Sequence, residues 1–263
     1  MSDNIGFVGC GNMGQALLRG WLDGGVVSAD CIRLSARQTA ATTAQAFGVQ
    51  SGTPQDVVDA SDIILLGMKP QHLAGAVEGL KFRAEQCVVS MLAGVTLEVL
   101  QRMVAPATVI RTMPNLACAF GSGVTLFQAG AVRGPYVERV EKLFGALGHL
   151  EVFDDETLFH AGTGISGSGP AYLFLAAAAL AEGGEAAGLR HEVALRLARE
   201  TIVGAGAVLR GSKRDPDILR KAVTSPGGTT EAALSALSTF SYREALISAV
   251  VAAAKRSDEL SCG

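Results

Sequence analysis

This sequence has no CxxC pair, no HExxH, no GxSxG and no basic block, and each absence removes a class of function. Its five cysteines, Cys10, Cys31, Cys87, Cys118 and Cys262, are dispersed, which leaves zinc and dithiol redox motifs unsupported. An odd, scattered set of thiols suits a reducing cytosol, so a cytoplasmic protein is expected. His72, His149, His160 and His191 share no ligand spacing, so no metal is expected; His160, in the hinge region between the two halves, is the one to watch. The 22 basic and 25 acidic residues are spread along the chain with a net charge of −3, which argues against nucleic acid or an anionic membrane as partner. The longest strongly apolar run, AYLFLAAAALA at 171–181, is ended by Glu182; it is too short for a bilayer and reads as a buried helix. The opening MSDNIGFVG has neither the cationic region nor the cleavage site of a secretory leader. Aromatic residues make up only 5%, whereas glycine occurs 32 times, a balance that suits close helix packing and tight turns.

What is present is an alternation. Up to about residue 155, apolar strands at 4–8, 31–35, 62–68, 87–92, 108–113, 123–127 and 149–153 are interleaved with helical stretches such as 13–24 and 39–47. Strands alternating with helices argue for a parallel sheet covered on both faces. Beyond Asp154 the strand signal stops, and helices are expected at 170–187, 192–209, 215–223, 229–237 and 242–260. The expected organisation is therefore an α/β dinucleotide-binding domain of the Rossmann type, doubly wound with a mostly parallel sheet, at 1–155, followed by an all-α domain at 156–263.

The first strand runs into Gly9-Cys10-Gly11-Asn12-Met13-Gly14 and then a helix. This is GxGxxG with a strand before it and a helix after it. The first glycine permits the tight turn, the second lets backbone approach a pyrophosphate, and the third allows helix and strand to pack closely. An NAD site usually has an acidic residue about 20 positions on, binding the ribose 2′-hydroxyl. Asp30 has that spacing but precedes its strand, whose far end instead carries Ser35-Ala36-Arg37. Hydroxyl and guanidinium donors suit a 2′-phosphate, so NADPH is favoured and NADH remains an alternative. Two more strand ends, Met68-Lys69-Pro70 and Ala93-Gly94, fall where ligands of such sheets bind. Lys69 reads as a cofactor contact rather than a general acid, since a lysine needs unusual burial for that task.

In the second half, KAVTSPGGTTEAALSAL at 221–237 introduces an alanine-rich helix with a proline, two glycines and two threonines. Glycine inside a helix costs about 1 kcal/mol relative to alanine, so the helix should begin after Gly228. Its first turn then offers unpartnered N–H groups to an anion.

Six segments together, GFVGCGNMG, GMKPQ (67–71), SMLAGV (90–95), RTMPN (111–115), GISGSGPAY (164–172) and VTSPGGTTEAAL (223–234), resemble those of the pyrroline-5-carboxylate reductase family, and the resemblance covers essentially the whole chain. One departure is Leu116-Ala117 after Asn115, where the family commonly has Thr-Pro. The resemblance implies reduction of the cyclic imine Δ1-pyrroline-5-carboxylate to L-proline, the last step of proline synthesis. It also implies a helical domain that forms an interlocked homodimer, with a decamer as a larger assembly, and a substrate near the PGGTT helix at the dimer interface. The anion becomes the substrate carboxylate, with Ser225 and the N–H groups of Gly228, Thr229 and Thr230 as donors. Thr230 is implied at the imine nitrogen as the catalytic residue, and Glu156 near the substrate, where it would favour the iminium. A carboxylate at a helix N-terminus is the plainer reading of Glu156.

Two rivals remain. A β-hydroxyacid dehydrogenase resembles this chain in outline but carries a catalytic lysine where the helix AYLFLAAAALA has none; a broader imine reductase is excluded less easily. A cofactor-binding sensor with a helical dimerising domain would have no need of Thr230.

Overall fold

The computed structural model describes residues 3–261, so Cys262 lies outside the described residues. Contacts divide the chain into two compact units, one ending at Gly167 and regaining the chain from Ala252, the other Ser168–Val251. The first unit thus extends past the strand-to-helix change near 155 and takes back the C-terminal turns.

The first unit is built on strands β1 (Ile5–Val8), β2 (Ile32–Ser35), β3 (Gln50–Ser51), β4 (Ile63–Leu66), β5 (Cys87–Ser90), β6 (Thr108–Met113), β7 (Gly123–Gln128) and β8 (Gly148–Val152). They form one sheet in the order β3-β2-β1-β4-β5-β6-β7-β8. The first six are parallel, and their order is that of a Rossmann sheet. Every residue of β1, β4 and β5 is buried, as expected of parallel strands covered on both faces. Alternation along each strand sends Phe7, Leu34, Leu65 and Val89 to one core with Leu17, Trp21 and Phe144. Val8, Ile64, Leu66 and Val88 go to the other, with Val58, Leu100 and Val104.

Helices α1 (Asn12–Asp23), α2 (Ala40–Phe47), α3 (Pro54–Asp59), α4 (Leu73–Val77), α5 (Leu97–Val104), α6 (Pro135–Gly145) and α7 (Leu158–Gly162) complete this unit. The sheet reverses at β7, which runs antiparallel to β6 while β8 runs parallel to β7. The connection from β6 to β7 is a single short 3-10 segment, Leu116–Phe120, which cannot make the crossover that a parallel strand needs. Asn115 organises it: its Oδ1 accepts from the N–H groups of Ala117 and Val124, both at 3.2 Å, and its Nδ2 donates to Ser166 O at 3.0 Å. Leu116, the first residue of that segment, is half exposed.

The second unit is all helical: α8 (Gly169–Ala186), α9 (His191–Ser212), α10 (Pro216–Ala222), α11 (Thr229–Thr239) and the greater part of α12 (Tyr242–Glu259). α8 and α9 meet through Ala181, Ala194 and Ala198. A Cβ on Gly184 would lie 3.1 Å from that of Ala194, so the abundance of small residues serves this close approach. One expectation is corrected here. The run at 171–181 is not buried in the single chain: Phe174 and Leu175 are 62% and 73% exposed, and Ala181 is the only buried residue of α8. A pair of helices cannot cover an apolar helix all round; a further surface is required.

Candidate active site

The parallel register brings the ends of β1, β2, β4 and β5 to one edge of the sheet. Gly9 follows β1 with φ +83°, and a Cβ there would sit 3.0 Å from Met68 N. A Cβ on Gly14 would meet Cys10 Sγ at 3.0 Å and Phe7 at 3.4 Å, so this glycine lets α1 lie against β1. Over Gly11 the nearest atom to such a Cβ is 3.8 Å away, which leaves its backbone approachable. Gly11 caps α1 without a side-chain bond, and the first turn holds no acidic residue. The N–H groups of Asn12, Met13 and Gly14 therefore face an uncapped, electropositive helix start. A pyrophosphate fits this cradle on geometry and on charge. Cys10 is buried, and burial pushes its thiol up to about 12; it packs rather than reacts.

At the end of β2, the Ser35 hydroxyl donates to Phe7 O at 3.3 Å and the Ser35 carbonyl accepts from Gly9 N at 2.9 Å. Ser35 thus braces the glycine turn, and its proton is not free for a phosphate. Ala36 is half buried, and Arg37 is exposed with no ion pair among the described residues, so it is a free cation at this edge. Asp30 lies in a 3-10 turn ahead of β2, at the opposite strand end. After β4, Met68 is half buried and Lys69 exposed, and Pro70 opens a 3-10 turn. After β5, Gly94 has φ +73° and packs on Leu260: a Cβ would lie 2.7 Å from Leu260 Cβ and 2.8 Å from its carbonyl.

In the second unit, Gly227 has φ +70° and Gly228 is the N-cap of α11. A Cβ on Gly228 would lie 2.4 Å from Ser225 Oγ, so the serine folds over the bare glycine. Gly228 N donates to Ser225 O at 3.0 Å, and Gly227 N donates to Glu231 Oε2 at 2.8 Å. The Gly228 N–H expected as an anion donor is therefore spent within the turn. Those of Thr229 and Thr230 remain, at a helix start with no side-chain cap. Ser225 and Thr229 are exposed and Thr230 is half buried.

Glu156 lies in the first unit. Its Oε1 accepts from Arg111 Nη1 at 2.6 Å and from Leu97 N, the first residue of α5, at 3.0 Å. It does stand at a helix N-terminus, though that of α5 rather than of the helix that follows it. Arg111 is 1% exposed and lies over the Phe159 ring at 4.4 Å. Burial lowers its pKa, while the bond to Glu156 and its charge oppose the shift. Its Nε and Gln128 Oε1, on the residue paired with it across the β6–β7 ladder, have no partner among the described residues. Sequence reasoning missed Arg111 as an individual residue, because its partner is 45 positions away.

A glycine-cradled helix start at the switch point of a 3-2-1-4-5-6 sheet, joined to a helical unit, defines a nicotinamide-dinucleotide oxidoreductase of the Rossmann class. A family model described as NADP oxidoreductase, coenzyme F420-dependent, matches residues 4–94, and one described as pyrroline-5-carboxylate reductase dimerisation matches 156–260. The pyrroline-5-carboxylate reductase of Arabidopsis thaliana is 41% identical over 99% of this chain and 96% of its own length. The chain belongs to the pyrroline-5-carboxylate reductase family. Two solved structures share the fold end to end. The Coxiella burnetii pyrroline-5-carboxylate reductase is 29% identical and covers 99% of both chains, with a TM-score of 0.85. The Plasmodium falciparum pyrroline carboxylate reductase, solved with NADP bound, is 24% identical and covers 98% of both chains, with a TM-score of 0.87.

Proposed function

We infer that this chain reduces the C=N bond of Δ1-pyrroline-5-carboxylate with NADPH and releases L-proline. The observation that carries the reading is that likeness to curated reductases runs through both units, not the cofactor unit alone. The free guanidinium of Arg37 favours NADPH over NADH, and a relative's structure holds NADP. When bound, the reduced nicotinamide supplies the hydride that saturates the imine carbon. The backbone of Gly9, Cys10, Gly11, Asn12, Met13 and Gly14 holds the pyrophosphate, and Arg37 holds the 2′-phosphate beside Ser35 and Ala36. Met68, Lys69 and Pro70 support the ribose, and Ala93 admits the nicotinamide half; Gly94 beside it is small because Leu260 fills the space where its Cβ would stand.

In the second unit the N–H groups of Thr229 and Thr230, with the Ser225 hydroxyl, hold the carboxylate at the positive end of α11. Gly228 contributes by carrying no Cβ. The Thr230 hydroxyl hydrogen-bonds the imine nitrogen; the proton comes from water or arrives with a protonated imine. Orientation supplies most of the rate, for which effective molarities of roughly 10⁵ M or more are known. Glu156 serves through Arg111 and α5 rather than by touching substrate.

The dimerisation match and the exposed apolar face of α8 support a homodimer, the unit from which a decamer would be built. Cys10, Cys31, Cys87 and Cys118 are free thiols, which suits a cytoplasmic enzyme. The test is NADPH consumption on adding Δ1-pyrroline-5-carboxylate, repeated with NADH. One proline formed per NADPH supports the reading, and no consumption above the blank ends it.

A further inference from the structure

We propose that the C-terminal turn Ser257–Ser261 forms one wall of the nicotinamide-side loop Ala93–Gly94, and that His160 is the positioning residue that pins it there. The space where a Gly94 Cβ would stand is filled by Leu260, whose own Cβ lies 2.7 Å and whose carbonyl lies 2.8 Å from that point. Leu260 N donates to Arg256 O at 3.2 Å, which keeps it in the helical turn but does not tie that turn to the loop. The holding is done by the histidine, whose side chain is only 14% exposed. Its Nδ1 is 3.0 Å from Ser257 Oγ and its Nε2 is 3.3 Å from Ser261 Oγ, so the ring grips the turn on both sides of Leu260. Ser257 is 5% exposed, and the Ser261 hydroxyl also reaches Ser257 O at 3.3 Å. With the Ser261 proton given to Ser257 O, a neutral imidazole protonated at Nε2 satisfies every bond: Nε2–H donates to Ser261 Oγ and Nδ1 accepts from the Ser257 hydroxyl.

The segment that carries His160 also carries Glu156, whose carboxylate takes Leu97 N at 3.0 Å where the same loop enters α5. Residues 156–160 therefore fix the β5–α5 loop twice: directly at its far end, and through the C-terminal turn over Gly94. All of these groups belong to the first unit. The inference rests on the reading that the Ala93–Gly94 loop borders the nicotinamide half.

The experiment is amide hydrogen exchange on the full chain, together with NADPH titration followed by fluorescence. The proteins are wild type, His160→Phe, His160→Asn, Ser257→Ala and the double variant His160→Phe/Ser257→Ala. His160→Phe should raise exchange at Gly94–Thr96 and at Ser257–Ser261 together and weaken NADPH binding about tenfold, the scale of a lost hydrogen-bond network. His160→Asn keeps a polar group at the Nδ1 position and should recover most of both. The double variant should be no worse than His160→Phe, because both changes cut one tether. Wild-type exchange at Gly94–Thr96 in His160→Phe, or strict additivity in the double variant, would overturn the proposal. Should His160→Phe not fold, Ser257→Ala, which cuts the same tether at its other end, carries the same exchange test. The exchange result reports on the clamp whether or not the imine is reduced, so loss of the clamp and loss of the functional reading are seen separately.

Discussion

A threonine hydroxyl is a weak acid, so the role we propose for Thr230 is to hold the imine nitrogen and not to protonate it. Thr230→Ala should lower turnover roughly 10- to 100-fold, the worth of one hydrogen bond to a charged group, and leave NADPH affinity unchanged; Thr230→Ser should restore most of the rate. Steady-state kinetics beside a binding titration checks it, and wild-type turnover in Thr230→Ala would remove the role. Arg111 and Glu156 make a prediction about stability. Glu156→Ala leaves a guanidinium that is 1% exposed without its counter-charge. The expected cost is about 3 kcal/mol, the lower end for a broken buried pair because the carboxylate itself is partly exposed. Urea unfolding measures this, and Arg111→Met/Glu156→Leu should recover much of the loss. His160 sets a pH dependence. Burial and the Arg111 charge lower its pKa, against the opposing pull of Asp258 and Glu156. The folded state therefore holds fewer protons on His160 than the unfolded state does, and stability rises with pH. This contribution is complete above the unfolded value near 6.5 and is lost as pH falls through the folded value. Urea midpoints across that range should slope in wild type more steeply than in His160→Asn.

At the scale of elements, the two helix starts matter most, and both rest on glycine. Gly9→Ala would force an alanine to φ +83° with its Cβ 3.0 Å from Met68 N. The left-handed conformation alone costs about 1–2 kcal/mol, so NADPH affinity should fall by at least about tenfold, which fluorescence titration measures. These elements were legible because their signals are local: an apolar strand, a glycine pattern and an apolar period within one stretch of sequence. α11 likewise begins at Thr229, as glycine propensity requires. α3 had a signal that went unused, a capping box of Thr53 with Asp56 and a proline at its first position. β3 has only two residues and no period to read. The reversal at β7 depends on a connection too short for a crossover, which strand patterns alone do not express. The spent proton of Ser35, the Arg111–Glu156 pair and the return of Leu260 onto Gly94 join residues far apart in sequence. Local reading cannot find such partners.

For the whole molecule, the second unit leaves Leu173, Phe174, Leu175 and Leu180 of α8 more than half exposed. That apolar face of α8 is uncovered within the chain, so an apolar partner surface is required. A second copy of the chain supplies it in our account. Phe174→Glu/Leu175→Glu should shift the sedimenting species from dimer or larger toward monomer, and turnover should fall with it; a wild-type sedimentation profile would remove α8 from the interface. The account as a whole turns on where the substrate's acid group is held. The most direct measurement is a crystal structure of the enzyme with L-proline and NADP. The account predicts the proline carboxylate within hydrogen-bond distance of the Thr229 and Thr230 N–H groups, with the ring nitrogen at the Thr230 hydroxyl. A carboxylate bound away from the start of α11, with that turn free of ligand, would contradict it.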